Sequence, residues 1–511
     1  MLRDAERYTG QRGLIERYKL AVPEPYQISI VGAKARKTER TATSVYNWYR
    51  DQDYGDTSIG DLHFALRREP IDFNILKAAF HADLMLFMTE ISDWQRNQPT
   101  SVFVRRAWFL FEFLTGETID LPDSAPMNYV PLLDSRLQIT LEPAPTRYPR
   151  HRIVFNVIGT KDFCPLIRRT SEIDAIDIHT AQQAITDLMP DGDEDLFRRA
   201  VSYLYTKETR ASYEIESERP SENKILRFVH ALRQHENFDF SEENSYIEIQ
   251  NTIISNPEFH AKHWRTEQVY IGETTVGLRE RIHCIFPKPN DVPQLMTGFR
   301  QSAQALLTSV NPIIAAAVLS FGFVFIHPFP DGNGRLHRFL IHQALAKTKV
   351  TPKEILFPVS ATMLRKRADY DAALETFSKR IMPFIEWERS AADDGSIIVT
   401  NETIDLYRYF DATDLCVYLY TTILESIRVD LQEELDFIKT FDACFRAVDE
   451  YLDGMQQQRV RNLIRYILQN NGQLSKNKRA QFPELSDERL KKVEELIAMA
   501  TAPAQDGIDG K

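Results

Sequence analysis

His327-Pro-Phe-Pro-Asp-Gly-Asn-Gly-Arg-Leu-His-Arg338 follows directly on an almost wholly apolar run, residues 313–326 (IIAAAVLSFGFVFI). The run is shorter than the ~18 residues expected of a membrane span, so it reads as a buried core helix. His327-Pro328 ends that helix, because the residue before proline is pushed out of the α region. Gly332 and Gly334 allow backbone angles closed to other residues and let an anion come close. Residues 335–345 (RLHRFLIHQAL) resume a helical period. The loop between the helices therefore turns its NH groups toward the N-terminus of the second, where free NH groups and the helix dipole attract phosphate. Arg335 and Arg338 are three apart and share a face of that helix, so both can reach one anionic ligand.

The stretch resembles the complete signature of the Fic family, His-Pro-Phe-x-Asp/Glu-Gly-Asn-Gly-Arg-x-x-Arg, at every specified position. The likeness extends over about residues 190–395. It implies transfer of AMP from ATP to a Ser, Thr or Tyr hydroxyl of a target protein. His327 would be the general base, a role suited to an imidazole titrating near neutral pH. Asp331 would hold Mg²⁺, which prefers carboxylate and phosphate oxygens. Gly332, Asn333 and Gly334 would form the anion hole at the α-phosphate, with Asn333 counted among the catalytic residues. Arg335 and Arg338 would bind the β- and γ-phosphates. His337 and His342 read as ordinary helical residues.

Three further elements extend the resemblance. Residues 201–217 (VSYLYTKETRASYEIES) read as a helix, and Ser212 and Glu216, four apart, share a face. Many Fic proteins carry Ser/Thr-x-x-x-Glu-Gly/Asn on a helix whose glutamate pairs with the second motif arginine. Ser212 and Glu216 are thus implied to be inhibitory, and Ser217 stands where Gly or Asn is usual. In residues 265–296, short strands are expected at 269–271 and 281–285 with a turn at 272–277, similar to the family's flap hairpin. Such an edge can register a target segment by main-chain hydrogen bonds. Residues 364–374 resemble the helix bordering the nucleoside, with Tyr370 implied as a nucleotide contact.

The expected fold is mainly α: a Fic-type helical core with a small β-hairpin flap, an α+β N-terminal region and a helical C-terminal region. The expected divisions are 1–188, 189–395 and 396–511, with residues 191–195 as a linker. In the first, residues 103–114 read as a buried helix ended at Thr115-Gly116. Residues 137–141 and 152–156 read as strands, and the basic run 34–40 as a solvated loop. Residues 459–496 are similar to the winged-helix tails of many Fic proteins, but Pro483 falls where a recognition helix would begin and no wing strands are legible. Residues 501–511 read as disordered. Charged residues make up 26% of the chain and hydrophobic ones 43%, as in globular proteins. The formal net charge of −11 argues against generic binding to nucleic acid or anionic membrane. Four cysteines without CxxC spacing, and no leader or membrane run, fit reduced thiols in a cytoplasmic, bacterial-type enzyme. ATP, Mg²⁺ and a target protein at the flap are the expected partners; a homo-oligomer stays open. AMP removal, another phosphotransfer, or an ATP-sensing regulator that binds DNA or a partner are the alternatives.

Overall fold

In a computed structural model the described residues are 6–41, 43–50, 54–143, 146–188, 194–234, 238–274, 280–351, 356–390 and 395–501. Helices dominate, with small sheets at the N-terminal end and two hairpins beside the central core.

The apolar run forms the helix Pro312–Ile326, and every residue from 313 to 326 is buried. Asn311 caps it by accepting from the Ile313 NH, and Pro312 at the first turn loses no helical bond. A helix apolar on all sides must be surrounded. It is, by Val292–Ser309, Asn333–Lys347 and Thr413–Glu425. Each large side chain it buries, Leu319 or Phe323 for example, contributes roughly 1.5–3 kcal/mol. His327 ends the helix in the left-handed region at φ 51°, its NH still bonded to the Phe323 carbonyl at 2.9 Å.

The helix holding Ser212 runs Glu194–Ile215, starting earlier than its sequence period suggested and ending before Glu216, which lies in the turn that follows. It packs on Val359–Arg365 and Gln432–Tyr451. Midway along it, buried Glu208 accepts from His342 Nε2 at 2.8 Å and from the Ser360 NH at 2.8 Å. Nearer its start, Arg199 forks onto both oxygens of Asp442 at 2.7 Å. Of the expected linker, residues 191–193 lie outside the described residues, and 194–195 already belong to this helix.

Several expectations need correction. The flap strands are Tyr270–Thr274 and Glu280–Ile285, so residues 272–274 are strand and not turn. The ladder shifts register between Ile271 and Gly272, a bulge of the kind glycine marks inside strands; residues 275–279 lie outside the described residues. Residues 364–374 are not one helix: Val359–Arg365 and Arg367–Ile381 meet at Lys366, which leaves helical angles. Residues 137–141 make only an isolated bridge at Gln138, with single bonds to Ile167 and Asn156 in place of a ladder. The basic run includes an edge strand, Lys37–Arg40, exposed throughout; charged side chains on an edge keep it from pairing with other chains. Helix Val102–Thr115 ends at Gly116, and Ile153–Phe155 is a strand. Thr501 closes the helix Asp487–Thr501, and residues 502–511 lie outside the described residues.

Hydrophobic side chains gather into one large core between Leu141 and Ile438, a second N-terminal core around Trp108 and Phe111, and a small third one. The third lies among Gln432–Tyr451, Gln457–Leu468 and Asp487–Thr501. Among the described residues no helix is long and apolar enough to cross a membrane.

Candidate active site

The motif loop spans the C-terminus of Pro312–Ile326 and the N-terminus of Asn333–Lys347. Asn333 staples it: its Oδ1 accepts from the Phe329 NH at 3.0 Å and its Nδ2 donates to the Phe329 carbonyl at 2.7 Å. That side chain is buried and committed to the loop. Gly332 takes φ 89°, which admits glycine freely and turns the chain into the helix. The NH groups of the first helical turn have no acceptor within the helix.

His327 sits at the mouth of this turn. Its ring stacks on Phe286 at the flap base, centroids 3.8 Å apart. Nδ1 lies 3.1 Å from the Val324 carbonyl. A carbonyl only accepts, so Nδ1 carries the proton and Nε2 keeps a lone pair. Burial pushes the ring's pKa down to about 4, and Arg265 adds to that, against the opposing pull of the Val324 bond and the Glu216 carboxylate. The imidazole is therefore neutral and able to accept a proton at pH 7.

Arg338 is enclosed by the end of the long helix. Its Nε donates to Ser212 Oγ at 2.9 Å, and Nη2 donates to the Ser212 carbonyl at 2.6 Å and to Glu216 Oε1 at 2.9 Å. Burial would raise the Glu216 pKa, but Arg338 outweighs it and holds the carboxyl below its usual range. The Glu216 carboxylate lies directly over Gly334, where an added Cβ would overlap it. Among the described residues Arg338 Nη1 is buried without a close acceptor, the guanidinium also interacting with the Tyr370 side chain, and it lies 3.4 Å from that same Cβ position.

Two residues that the sequence did not single out belong to the site. Glu218 Oε2 accepts from Arg335 Nη1 at 2.7 Å, while its other oxygen pairs with Lys224. Arg335 Nη2 continues to Asp331 Oδ1 at 3.0 Å. Ser217, between the two glutamates, stands at φ 59°. That left-handed residue turns the chain so that Glu216 reaches Arg338 and Glu218 reaches Arg335. It also explains why Gly or Asn, the residues most at ease there, suit this position. The alternating acids at 214, 216 and 218 resemble a solvated face, which hid Glu218. Arg265, the second missed residue, is buried and donates to the carbonyls of His327, Glu267 and Pro287, each at 2.7 Å.

Asp331 is exposed at the loop tip; its Oδ1 takes the Gly332 NH at 2.6 Å and Arg335, leaving Oδ2 toward solvent. Among the described residues no group of three or more His, Cys, Asp and Glu could hold a metal by itself. A single carboxylate suits Mg²⁺, which takes one or two carboxylates with phosphate oxygens and water. Tyr370 is 3% exposed beside Arg338, its ring near-parallel to His337 at 6.1 Å. Its side chain lies against the Arg338 guanidinium. His342 is spent on Glu208, and His337 is wholly buried.

Residues 239–345 match the profile of the Fic/DOC family. This segment is a Fic domain. Among its relatives is the protein adenylyltransferase Fic of Aedes aegypti, 28% identical over 186 residues, 36% of this chain and 32% of that protein. Another is the protein adenylyltransferase fic-1 of Caenorhabditis elegans, 26% identical over 164 residues, 32% of this chain and 29% of that protein. The chain thus spans about a third of the length of the curated relatives it matches. A solved Fic family protein from Desulfovibrio desulfuricans G20 covers 59% of this chain and 90% of its own, at 17% identity and a TM-score of 0.39.

Proposed function

We propose that this chain is a protein adenylyltransferase that moves AMP from ATP to a Ser, Thr or Tyr hydroxyl of a target protein and is restrained by Glu216. The observation that carries the reading is the Glu216 carboxylate seated on buried Arg338 and over Gly334, in a motif loop that also holds a neutral His327. His327 Nε2 takes the hydroxyl proton as the target oxygen bonds to the α-phosphorus and the bond to pyrophosphate breaks. The first-turn NH groups of Asn333–Lys347 receive the charge developing on the α-phosphate oxygens. Arg335 and Arg338 hold the outer phosphates once the glutamates leave them. Asp331 would hold Mg²⁺, which neutralises phosphate charge when bound. Glu216, on Arg338 and over Gly334, occupies the place of the anion it excludes.

The target segment would dock at the flap strand Tyr270–Thr274, which pairs with Glu280–Ile285. The proposed division sets the Fic unit at 189–395, flanked by an N-terminal region and a helical C-terminal region in the cytoplasm.

Incubation of wild type, Glu216→Gly and His327→Ala with α-labelled ATP and Mg²⁺ tests the reading. Label should rise in Glu216→Gly and vanish in His327→Ala. No label in any of the three, or equal label in His327→Ala, overturns it.

A further inference from the structure

Arg265 is 3% exposed, and no carboxylate is among the bonds it makes. Its guanidinium is spent on three carbonyls: Nε on His327, Nη1 on Glu267 and Nη2 on Pro287, each at 2.7 Å. Its backbone NH adds a fourth tie, to the Pro328 carbonyl at 2.8 Å. Burying a cation without an anionic partner is costly, and the guanidinium pKa falls to about 10 through desolvation. Such a residue persists where its geometry is needed. Here the five-donor planar fork joins two things that are far apart in the chain: both sides of the flap base, and the backbone of the motif histidine.

We infer that Arg265 is a positioning residue for AMP transfer, locking His327 in its left-handed backbone and setting the flap, where the target hydroxyl would lie, at a fixed distance from the ring. Two observations join in this. His327 at φ 51° is a non-glycine residue in a region that costs about 1–2 kcal/mol, so something must hold it there. The His327 carbonyl is held by Arg265 Nε, and the next carbonyl by the Arg265 NH. The ring, in turn, stacks on Phe286, next to the Pro287 carbonyl that takes Nη2. One side chain therefore fixes the histidine from the backbone side and fixes the aromatic plate against which it lies. Lysine cannot replace it: a single ammonium on a flexible stem cannot reach three carbonyls in one plane.

The inference rests on the adenylyltransferase reading, and the test keeps the two apart. Arg265→Lys and Arg265→Met are made in the Glu216→Gly background, in the full-length chain. The kcat for AMP transfer should fall about 10–100-fold in Arg265→Lys and at least as far in Arg265→Met, with KM for ATP within about twofold, since a small misplacement of a reacting group costs rate and not phosphate contacts. Independently of turnover, ring ¹⁵N shifts in histidine-labelled protein report the His327 tautomer, with His327→Gln identifying the signal. The parent should show protonated Nδ1, and Arg265→Lys should show a mixture of tautomers with faster amide exchange across residues 280–285. If Arg265→Lys keeps the parent kcat, or keeps the tautomer and flap protection while losing rate, the positioning role is overturned. If Glu216→Gly itself transfers nothing, the functional reading fails, and the tautomer and exchange arms still decide whether Arg265 holds the histidine.

Discussion

His327 and the carboxylates around it set the chemistry at the scale of single residues. Replacing His327 with Ala removes the proposed general base, so AMP transfer should fall about 10²–10⁴-fold. ATP binding, measured by calorimetry, should survive, because the phosphate contacts lie on other residues. The acid limb of the rate profile should fall near pH 4, well below the ordinary histidine range, because burial favours the neutral ring that accepts the proton. A limb at pH 6–7 would mean the ring is solvated in the working enzyme. Glu216 adds a second sign. Its depressed pKa keeps the Arg338 pair intact above the usual carboxylate range and loosens it only as pH falls through the lowered value. Glu218→Ala should free Arg335 and raise AMP self-labelling above wild type, and Glu216→Gly with Glu218→Ala should exceed either alone. Equal labelling in wild type and Glu218→Ala would leave Glu218 as a surface partner of Lys224.

At the scale of elements, the long helix is the part to question. Glu208 anchors it by taking His342 and the Ser360 NH in a buried setting. Glu208→Ala would leave three donors unmet, His342, the Ser360 NH and the Ser360 hydroxyl, at about 1–3 kcal/mol for each that finds no new acceptor. A lowered melting temperature, with increased self-labelling as the Glu216 end loosens, is the expected result; an unchanged melting temperature would show that water replaces the carboxylate. Much of this was legible in the chain. The apolar run, the His-Pro stop and the resumed period placed the two motif helices nearly to the residue, because burial on all sides and a proline stop act locally. Ser212 and Glu216 were legible because spacing by four fixes a helical face. Glu218 and Arg265 were not. Their partners lie 117 and 62 residues away, and nothing in local periodicity encodes a meeting of that kind. Residues 137–141 alternate like a strand but find no neighbour with a matching run, so tertiary context overrode the pattern.

Across the whole molecule, the helix Gln432–Tyr451 serves two cores. Leu435 and Ile438 lie in the large one, Cys444 and Val448 in the small C-terminal one. Ile464→Asp, which puts a charge into the small core, should unfold residues 457–501 yet leave the long helix and AMP transfer in place. Amide exchange confined to the C-terminal helices would confirm it; loss of transfer would show that the two cores fold as one. Ser217 has a consequence for the enzyme as a whole. A serine held at φ 59° works against its own backbone, by about 1 kcal/mol compared with a residue at ease there. On the proposed restraint by Glu216, that strain favours release of the glutamate end, so the resting enzyme would idle instead of standing fully off. The serine acts as a throttle stop, admitting a roughly fivefold higher leak than asparagine or glycine would. Ser217→Asn should close the throttle, lowering basal self-labelling by about that factor while leaving the output of the Glu216→Gly enzyme untouched.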